Sequence, residues 1–274
     1  MSELRPAWSQ QFAHGALRSI PSVSSLDEIT PEWAWGDSTG GGVKVAILDS
    51  GIDSGHPAVG RGIQGYLAIS QGAEGFLYDT EPHGDAFGHG TACAGIIRAI
   101  APACDLYSIR VLGARLTGRG AVFAEGLRWA TENGMQVCNL SLGSTKKELA
   151  GLFHELADEA YFRNLMLVTA ANNMPVVSYP SLYASVISVA SHDEPDPYRF
   201  YYNPEPPVEF GARGIDVPVA WLNGGMLTAT GNSFAAPHIS GLVARILGKH
   251  PGLTLFQMKT VLRALAANVE SGSS

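Results

Sequence analysis

The sequence predicts an α/β fold of three layers, with a mostly parallel, twisted sheet held between helices. The first observation behind this is alternation: short apolar runs are separated by longer segments of helical length and spacing. The second is that the runs are unbroken apolar stretches, which read as buried strands. The third is size. A chain of 274 residues, 46% hydrophobic and only 16% charged, can bury a large core, and single α/β domains often reach this length.

Strands are expected at residues 43–48, 106–112, 137–142, 165–170 and 186–190. Between them, residues 89–100, 120–133 and 146–163 have the spacing of helices, and two more helices are expected at 233–247 and 255–267. Strand and helix alternate, so neighbouring strands run parallel through helical crossovers. The Pro- and Tyr-rich stretch 194–207 reads as an ordered surface loop. Residues 1–42 read as an N-terminal arm or short extension, 43–268 as one domain and 269–274 as a C-terminal tail.

Charge and composition exclude several functions. With 18 Lys and Arg against 25 Asp and Glu, the formal net charge is -7, and no basic stripe or nucleic-acid motif is present, so no nucleic-acid partner is expected. No uninterrupted apolar run is long enough to cross a bilayer, and residues 1–6 lack the basic-then-apolar pattern of a secretory signal. Taking Met1 as the natural start, the expected location is the cytoplasm, with no membrane partner. Three cysteines permit at most one disulfide and leave one thiol over, a poor fit to a disulfide framework. Oligomeric state leaves no trace in the sequence.

In such sheets function gathers at the carboxyl ends of strands and the amino ends of helices. Three motifs fall there. Asp49 closes the first apolar run in Ile47-Leu48-Asp49-Ser50-Gly51-Ile52-Asp53, and His89 opens a helix in Gly88-His89-Gly90-Thr91. Ser233 opens another in Gly231-Asn232-Ser233-Phe234-Ala235-Ala236-Pro237-His238. Helix amino ends carry unpaired N–H groups and a positive dipole end, which favour developing negative charge. Pro237 is expected in the first turn of its helix, where proline is tolerated. A serine hydroxyl is a poor nucleophile at neutral pH, so acyl transfer needs an imidazole to take its proton and a buried carboxylate to orient that imidazole. Singly, the three residues read equally well as turn, cap or surface positions. Their order and flanks together do not.

The order Asp, His, Ser with these flanks resembles the subtilases, and the resemblance runs from about Val43 to about Asn268. It implies a subtilisin-like fold and a serine endopeptidase acting on peptide or protein substrates. Asp49 is then the triad carboxylate, His89 the general base and Ser233 the nucleophile. Asn232 stands where the family usually has Thr. The run 165–171 leads into Asn172 and Asn173 where the family pattern is Ala-Ala-Gly-Asn. The resemblance therefore makes Asn173 the side-chain oxyanion donor beside the Ser233 backbone amide, with Asn172 as the fallback.

Peptides are commonly held as added strands. Ser141-Leu142-Gly143 resembles the family's substrate-binding strand, and Leu112-Gly113-Ala114 leading to Gly118 resembles the opposite strand of the cleft. An ordinary tight loop accounts for these glycines nearly as well. The S1 pocket is expected between 141–143 and 170–173, with Ala171 and Asn172 on its wall and Ser178 near its floor. Cys93, four residues after His89, is expected one turn along the same helix face. The pattern His-Gly-Thr-x-Cys resembles the thiol-containing subtilases, similar to proteinase K and thermitase. Cys104 and Cys138 read as small apolar filler.

No cofactor is required by this chemistry. The strong calcium site of many secreted relatives needs an Asp shortly after the first motif and a loop bulging from the helix after the catalytic His. Here Ala58 follows His56-Pro57, and residues 95–100 run directly into Ala101-Pro102, so that site is expected to be absent while weaker calcium binding stays open. His83, Asp85 and His89 lack metal-ligand spacing, and no metal site is expected; Asp85 reads as a rim or loop carboxylate. Lys146 and Lys147 follow the substrate strand where dibasic-specific relatives carry acidic residues, which disfavours a basic P1 residue. Around Ile20-Pro21, an extension blocking the cleft is weighed against a surface-draped arm. Two narrower readings stand beside the endopeptidase: a maturation protease or transpeptidase for one peptide precursor, and a peptide-binding pseudoenzyme, which the complete triad disfavours.

Overall fold

A computed structural model describes residues 28–60 and 62–270 of the chain. The segment around Ile20-Pro21 lies outside the described residues. At the centre stands β1 (Lys44–Asp49), flanked by two parallel neighbours, β4 (Asp105–Arg110) on one side and β5 (Val137–Leu140) on the other. Beyond β5 the sheet continues with β6 (Met166–Ala170), β7 (Ile187–His192) and β9 (Phe210–Arg213), all parallel. Beyond β4 comes β2 (Gly65–Gly72), also parallel. Two antiparallel strands close the edges, β3 (Gly75–Asp79) against β2 and β8 (Phe200–Tyr202) against β9.

The apolar run of β1 is unbroken because both faces are covered. Val45 and Ile47 enter one core with α2 (His89–Ile100), α5 (Asn232–Lys249) and α6 (Leu255–Leu265). Ala46 and Leu48, pointing the other way as the two-residue period of a strand requires, enter a second core with α3 (Gly120–Glu132) and α4 (Ala150–Phe162). This is the three-layer arrangement expected. From β1 the chain forms the β2-β3 hairpin, returns through α2 to β4 on the same side, and then crosses by α3 to β5 on the opposite side of β1. The end of β1 is therefore a topological switch point, where such sheets open a crevice.

Several expected boundaries move. The strands expected at 106–112 and 137–142 end at Arg110 and Leu140, so the residues after them run past the sheet as loops. Residues 194–207, expected as a loop, contain the edge strand β8. The helix expected at 146–163 begins as one 3-10 turn, Lys147–Leu149, before α4. α5 begins at Asn232, which makes Pro237 its sixth residue, in the second turn rather than the first. A small third core joins Ala92 and Ile96 of α2 to Val217 and Val219 of a separate hairpin, β10 (Val217–Trp221) with β11 (Gly225–Ala229). In the arm, the short helix α1 (Pro31–Ala34) and Ile29 contribute buried side chains to the main core.

All three cysteines are free and buried, and Cys104 and Cys138 fill the two cores as apolar side chains. Among the described residues no helix is long and apolar enough to cross a membrane.

His238 on α5 is buried and donates its Nδ1–H to the Phe234 carbonyl at 2.9 Å. Burial pushes its imidazole down from 6.5 to about 4; that hydrogen bond opposes the shift, and Arg213 and His192 add to it. Between these two values the unfolded chain binds the proton and the folded chain does not. The contribution is therefore full above about pH 6.5 and is lost as pH falls toward 4, a change of roughly 3 kcal/mol. Urea unfolding of wild type and His238→Asn from pH 7 to pH 4 tests this. The stability gap between the two proteins is expected to narrow by roughly that amount as pH falls; a gap independent of pH would show that His238 does not titrate in this window.

Candidate active site

The end of β1 and the first turn of α2 touch. Asp49 is fully buried, and its carboxylate oxygens lie 2.9 and 2.8 Å from His89 Nδ1. A carboxylate only accepts, so the proton sits on Nδ1 and leaves Nε2 as the basic nitrogen. Burial opposes charging the imidazole, but the charge and hydrogen bond of Asp49 outweigh it and Asp85 adds to them, so the His89 pKa is raised above 6.5. This approach depends on Gly90. A Cβ there would stand 2.0 Å from the Gly51 carbonyl oxygen, so any side chain would lift α2 off the end of β1.

Asp85 does far more than a loop carboxylate. Its Oδ1 accepts from the Phe87 and Gly88 N–H groups at 2.9 and 2.8 Å and from Ser50 Oγ at 2.7 Å. Its Oδ2 accepts from Thr91 N–H and Thr91 Oγ1 at 2.8 and 2.6 Å. The N-cap residue Gly88 offers no side chain, so Asp85 satisfies the amino end of α2 in its place and puts a negative charge where the helix dipole favours it. Ser50, whose N–H also bonds Asp49 Oδ1 at 2.8 Å, ties the two carboxylates together.

Ser233 arrives from α5. Phe234 beside it places its ring 5.4 Å from the His89 ring, and Cys93 Sγ lies 3.9 Å from Asp49 Oδ2 and 3.7 Å from the Ser233 carbonyl oxygen. Cys93 thus sits behind the pair, one turn along α2 from His89, and burial pushes its thiol well up, so it stays protonated. Among the described residues the hydrogen bonds of the His89 side chain are those to Asp49.

Asn173 meets Ser233 at Gly231. The point where a Gly231 side chain would begin lies 3.4 Å from both Asn173 Nδ2 and Ser233 Oγ. Asn173 Oδ1, 3.5 Å from the same point, accepts the Asn232 N–H at 2.8 Å, which fixes the side-chain amide and leaves Nδ2 as its donor. Asn172 behaves differently: its Oδ1 accepts the Met174 N–H at 2.8 Å and closes a turn. Asn232, where Thr is usual, has a structural reason. Its Nδ2 donates to the Ala171 and Asn172 carbonyls at 3.2 and 3.1 Å, and its Oδ1 accepts the Ser191 N–H at 2.9 Å, so it stitches α5 to the exits of β6 and β7.

A cavity of about 340 Å³ opens between Leu112, Leu116 and Gly118 on one wall and Ser141, Leu142 and Gly143 on the other; it meets the nucleophile only through Ser141, which bonds the Ser233 carbonyl, and residues 170–173 and Ser178, expected around S1, do not line it. Gly113 closes a turn, its N–H bonding the Thr117 carbonyl at 3.1 Å. Gly118 is required by packing, since a Cβ would stand 2.5 Å from the Val111 carbonyl oxygen. Ser144 pairs with Tyr179 through two backbone bonds of 2.9 and 2.8 Å, and Ser178 is buried beneath Gly143 with its hydroxyl bonded to Ser181 at 2.9 Å. Asp49, His89 and Cys93 form, among the described residues, a group whose ligand atoms lie within 4.8 Å of one another. Asp49 and His89 are bonded to each other, and burial keeps the Cys93 thiol protonated.

Sequence reasoning missed Ser50, Asn139 and Ser240 and underrated Asp85. The available signal was a polar residue inside an apolar run, as Asn139 is within Val137–Leu140.

Residues 40–273 match peptidase S8, the subtilase family. The chain is 32% identical over 285 residues to an alkaline protease of Shouchella clausii, covering 93% of this chain and 72% of that protein. It is 33% identical over 246 residues to subtilisin BL of Lederbergia lenta, covering 85% and 86%. Among solved structures, the S41 psychrophilic protease superposes with a TM-score of 0.70 at 26% identity, covering 82% of each chain. A match of this extent, on a parallel sheet that carries Asp49 and His89 at its switch point, places the chain in the subtilase family as a serine endopeptidase with an Asp-His-Ser triad.

Proposed function

We propose that substrate peptide lies between the 112–118 and 141–143 segments and acylates Ser233, with the Asn173 side chain and the Ser233 N–H as oxyanion donors. The observation that carries this reading is the convergence of Asn173 Nδ2 and Ser233 Oγ on the space beside Gly231. Ser233 Oγ attacks the scissile carbonyl while His89 Nε2 takes its proton, and Asp49 stabilises the imidazolium. The negative oxygen is met by donors fixed beforehand: Asn173 is oriented by Asn232, and the Ser233 N–H belongs to the amino end of α5. His89 passes its proton to the leaving amine, and water then repeats the sequence on the acyl-enzyme. His89 acts as a base only when neutral, so activity rises with pH through its raised pKa.

Three finer assignments belong to the same proposal. Arg119 and Lys146 line the cleft, and their charge opposes a basic substrate side chain there. Cys93 is read as the buried thiol of a thiol-containing subtilase, a reading supported by its contacts with Asp49 and Ser233. The strong calcium site of many secreted relatives is read as lost, a reading supported among the described residues by α2 running unbroken from His89 to Ile100 and by Ala58 following His56-Pro57.

Labelling by a fluorophosphonate probe tests the nucleophile: wild type is expected to react and Ser233→Ala is not, whereas equal labelling of both would exclude Ser233. Prior treatment with an aryl mercurial is expected to block that labelling, and labelling unaffected by it would overturn the Cys93 assignment. For the oxyanion site, Asn173→Ala is expected to lower kcat by about a hundredfold to a thousandfold, the known size of losing one such donor in a subtilisin. Steady-state kinetics check this, and a loss below about threefold would remove Asn173 from the role.

A further inference from the structure

We infer that the Ser141 hydroxyl is a positioning residue for the nucleophile, replacing the helical hydrogen bond that Pro237 takes away from the Ser233 carbonyl. The inference rests on Ser233 being the nucleophile. In an α-helix the carbonyl of residue 233 would accept from the N–H of residue 237. That residue is proline, inside α5, with no N–H to give. A buried carbonyl without a donor is costly, so another group has to serve it.

Ser141 Oγ lies 2.7 Å from the Ser233 carbonyl oxygen. The direction of that bond is set by what surrounds the hydroxyl. Asn139 Nδ2 donates to Ser141 Oγ at 3.0 Å, and the Cys93 thiol lies 3.4 Å from the same oxygen. With donors facing its lone pairs, the hydroxyl has one proton left and one acceptor to receive it, the Ser233 carbonyl. Asn139 is itself fixed: it is fully buried, and its Oδ1 accepts from Ser240 Oγ at 2.9 Å. Ser240 lies further along α5, so β5 and its extension grip the helix at two points through one buried polar chain. Cys93 Sγ also approaches the Ser233 carbonyl, at 3.7 Å, but a thiol is a weak donor.

The bond acts on the peptide group of the nucleophile itself. Without it, the backbone of Ser233 is free to turn, and both Oγ and the adjoining N–H turn with it. Ser141 also opens the segment 141–143 that forms one wall of the cleft, so a single hydroxyl sets the nucleophile and that wall in register. Acyl transfer is sensitive to displacements of this kind because reacting atoms have to meet within a narrow range of distance and angle.

A double-mutant cycle tests the compensation. Wild type, Ser141→Ala, Pro237→Ala and the double variant are compared in peptide-ester hydrolysis, with each kcat normalised to phosphonate-titrated active sites so that unfolded protein is not counted. In the Pro237 background, Ser141→Ala is expected to lower kcat about tenfold with KM changed less than about twofold. In the Pro237→Ala background, residue 237 supplies the missing N–H, and the same substitution is expected to cost less than about twofold in kcat. An equal loss in both backgrounds, or no loss in the first, would overturn the inference. A role confined to stability would lower the melting temperature of Ser141→Ala and leave its normalised kcat unchanged, which also overturns it. Failure of the wild type to react with the phosphonate would overturn the serine-nucleophile reading itself, and the inference with it.

Discussion

A buried carboxylate bonded to a buried imidazole is the constraint on which the rest of the molecule turns. Asp49 is withdrawn from water at the end of the central strand, where an uncompensated charge would be strongly destabilising. It is stable there because His89 Nδ1–H and Ser50 N–H donate to it. Those partners exist only if α2 begins within contact of β1. The glycine pair Gly51 and Gly90 gives that approach, and Asp85 holds the first turn of α2 in place. The charge that threatens the core is thus the charge that tunes the base.

The nucleophile is held by a different logic. Asp49 and His89 come from β1 and α2, separated in the chain only by the β2-β3 hairpin, whereas Ser233 lies far along the chain and is fastened by side chains that cross between layers. Asn232 bonds to three backbone groups on the exits of β6 and β7, and its own N–H orients Asn173. Pro237 leaves an unsatisfied carbonyl at the reactive residue, and the strand extension after β5 answers it. Catalytic geometry therefore depends on tertiary hydrogen bonds more than on the regularity of α5.

The central part of this architecture was legible in the sequence for a physical reason. Strands covered on both faces are apolar along most of their length, so β1, β5 and β6 stand out, and α2 is bounded by the residues expected. The triad was legible because its chemistry demands three residue types at element ends. Edge strands β3 and β8 were not, since they are short and carry exposed or half-exposed residues. Asn232 could be seen as a departure but not understood, because its partners Ala171 and Ser191 are distant in sequence. The link from Ser240 to Asn139 was hidden for the same reason. Pro237 was placed one turn too early because helix starts are set by caps, and the cap at Gly231 has no side chain to announce it.

The most direct measurement is an NMR titration of His89 in the Ser233→Ala variant, which avoids self-digestion. A buried Asp49 partner predicts a proton held on Nδ1 throughout and an imidazole that titrates above 6.5. An imidazole titrating below that value, or one lacking the Nδ1 proton, would contradict the account.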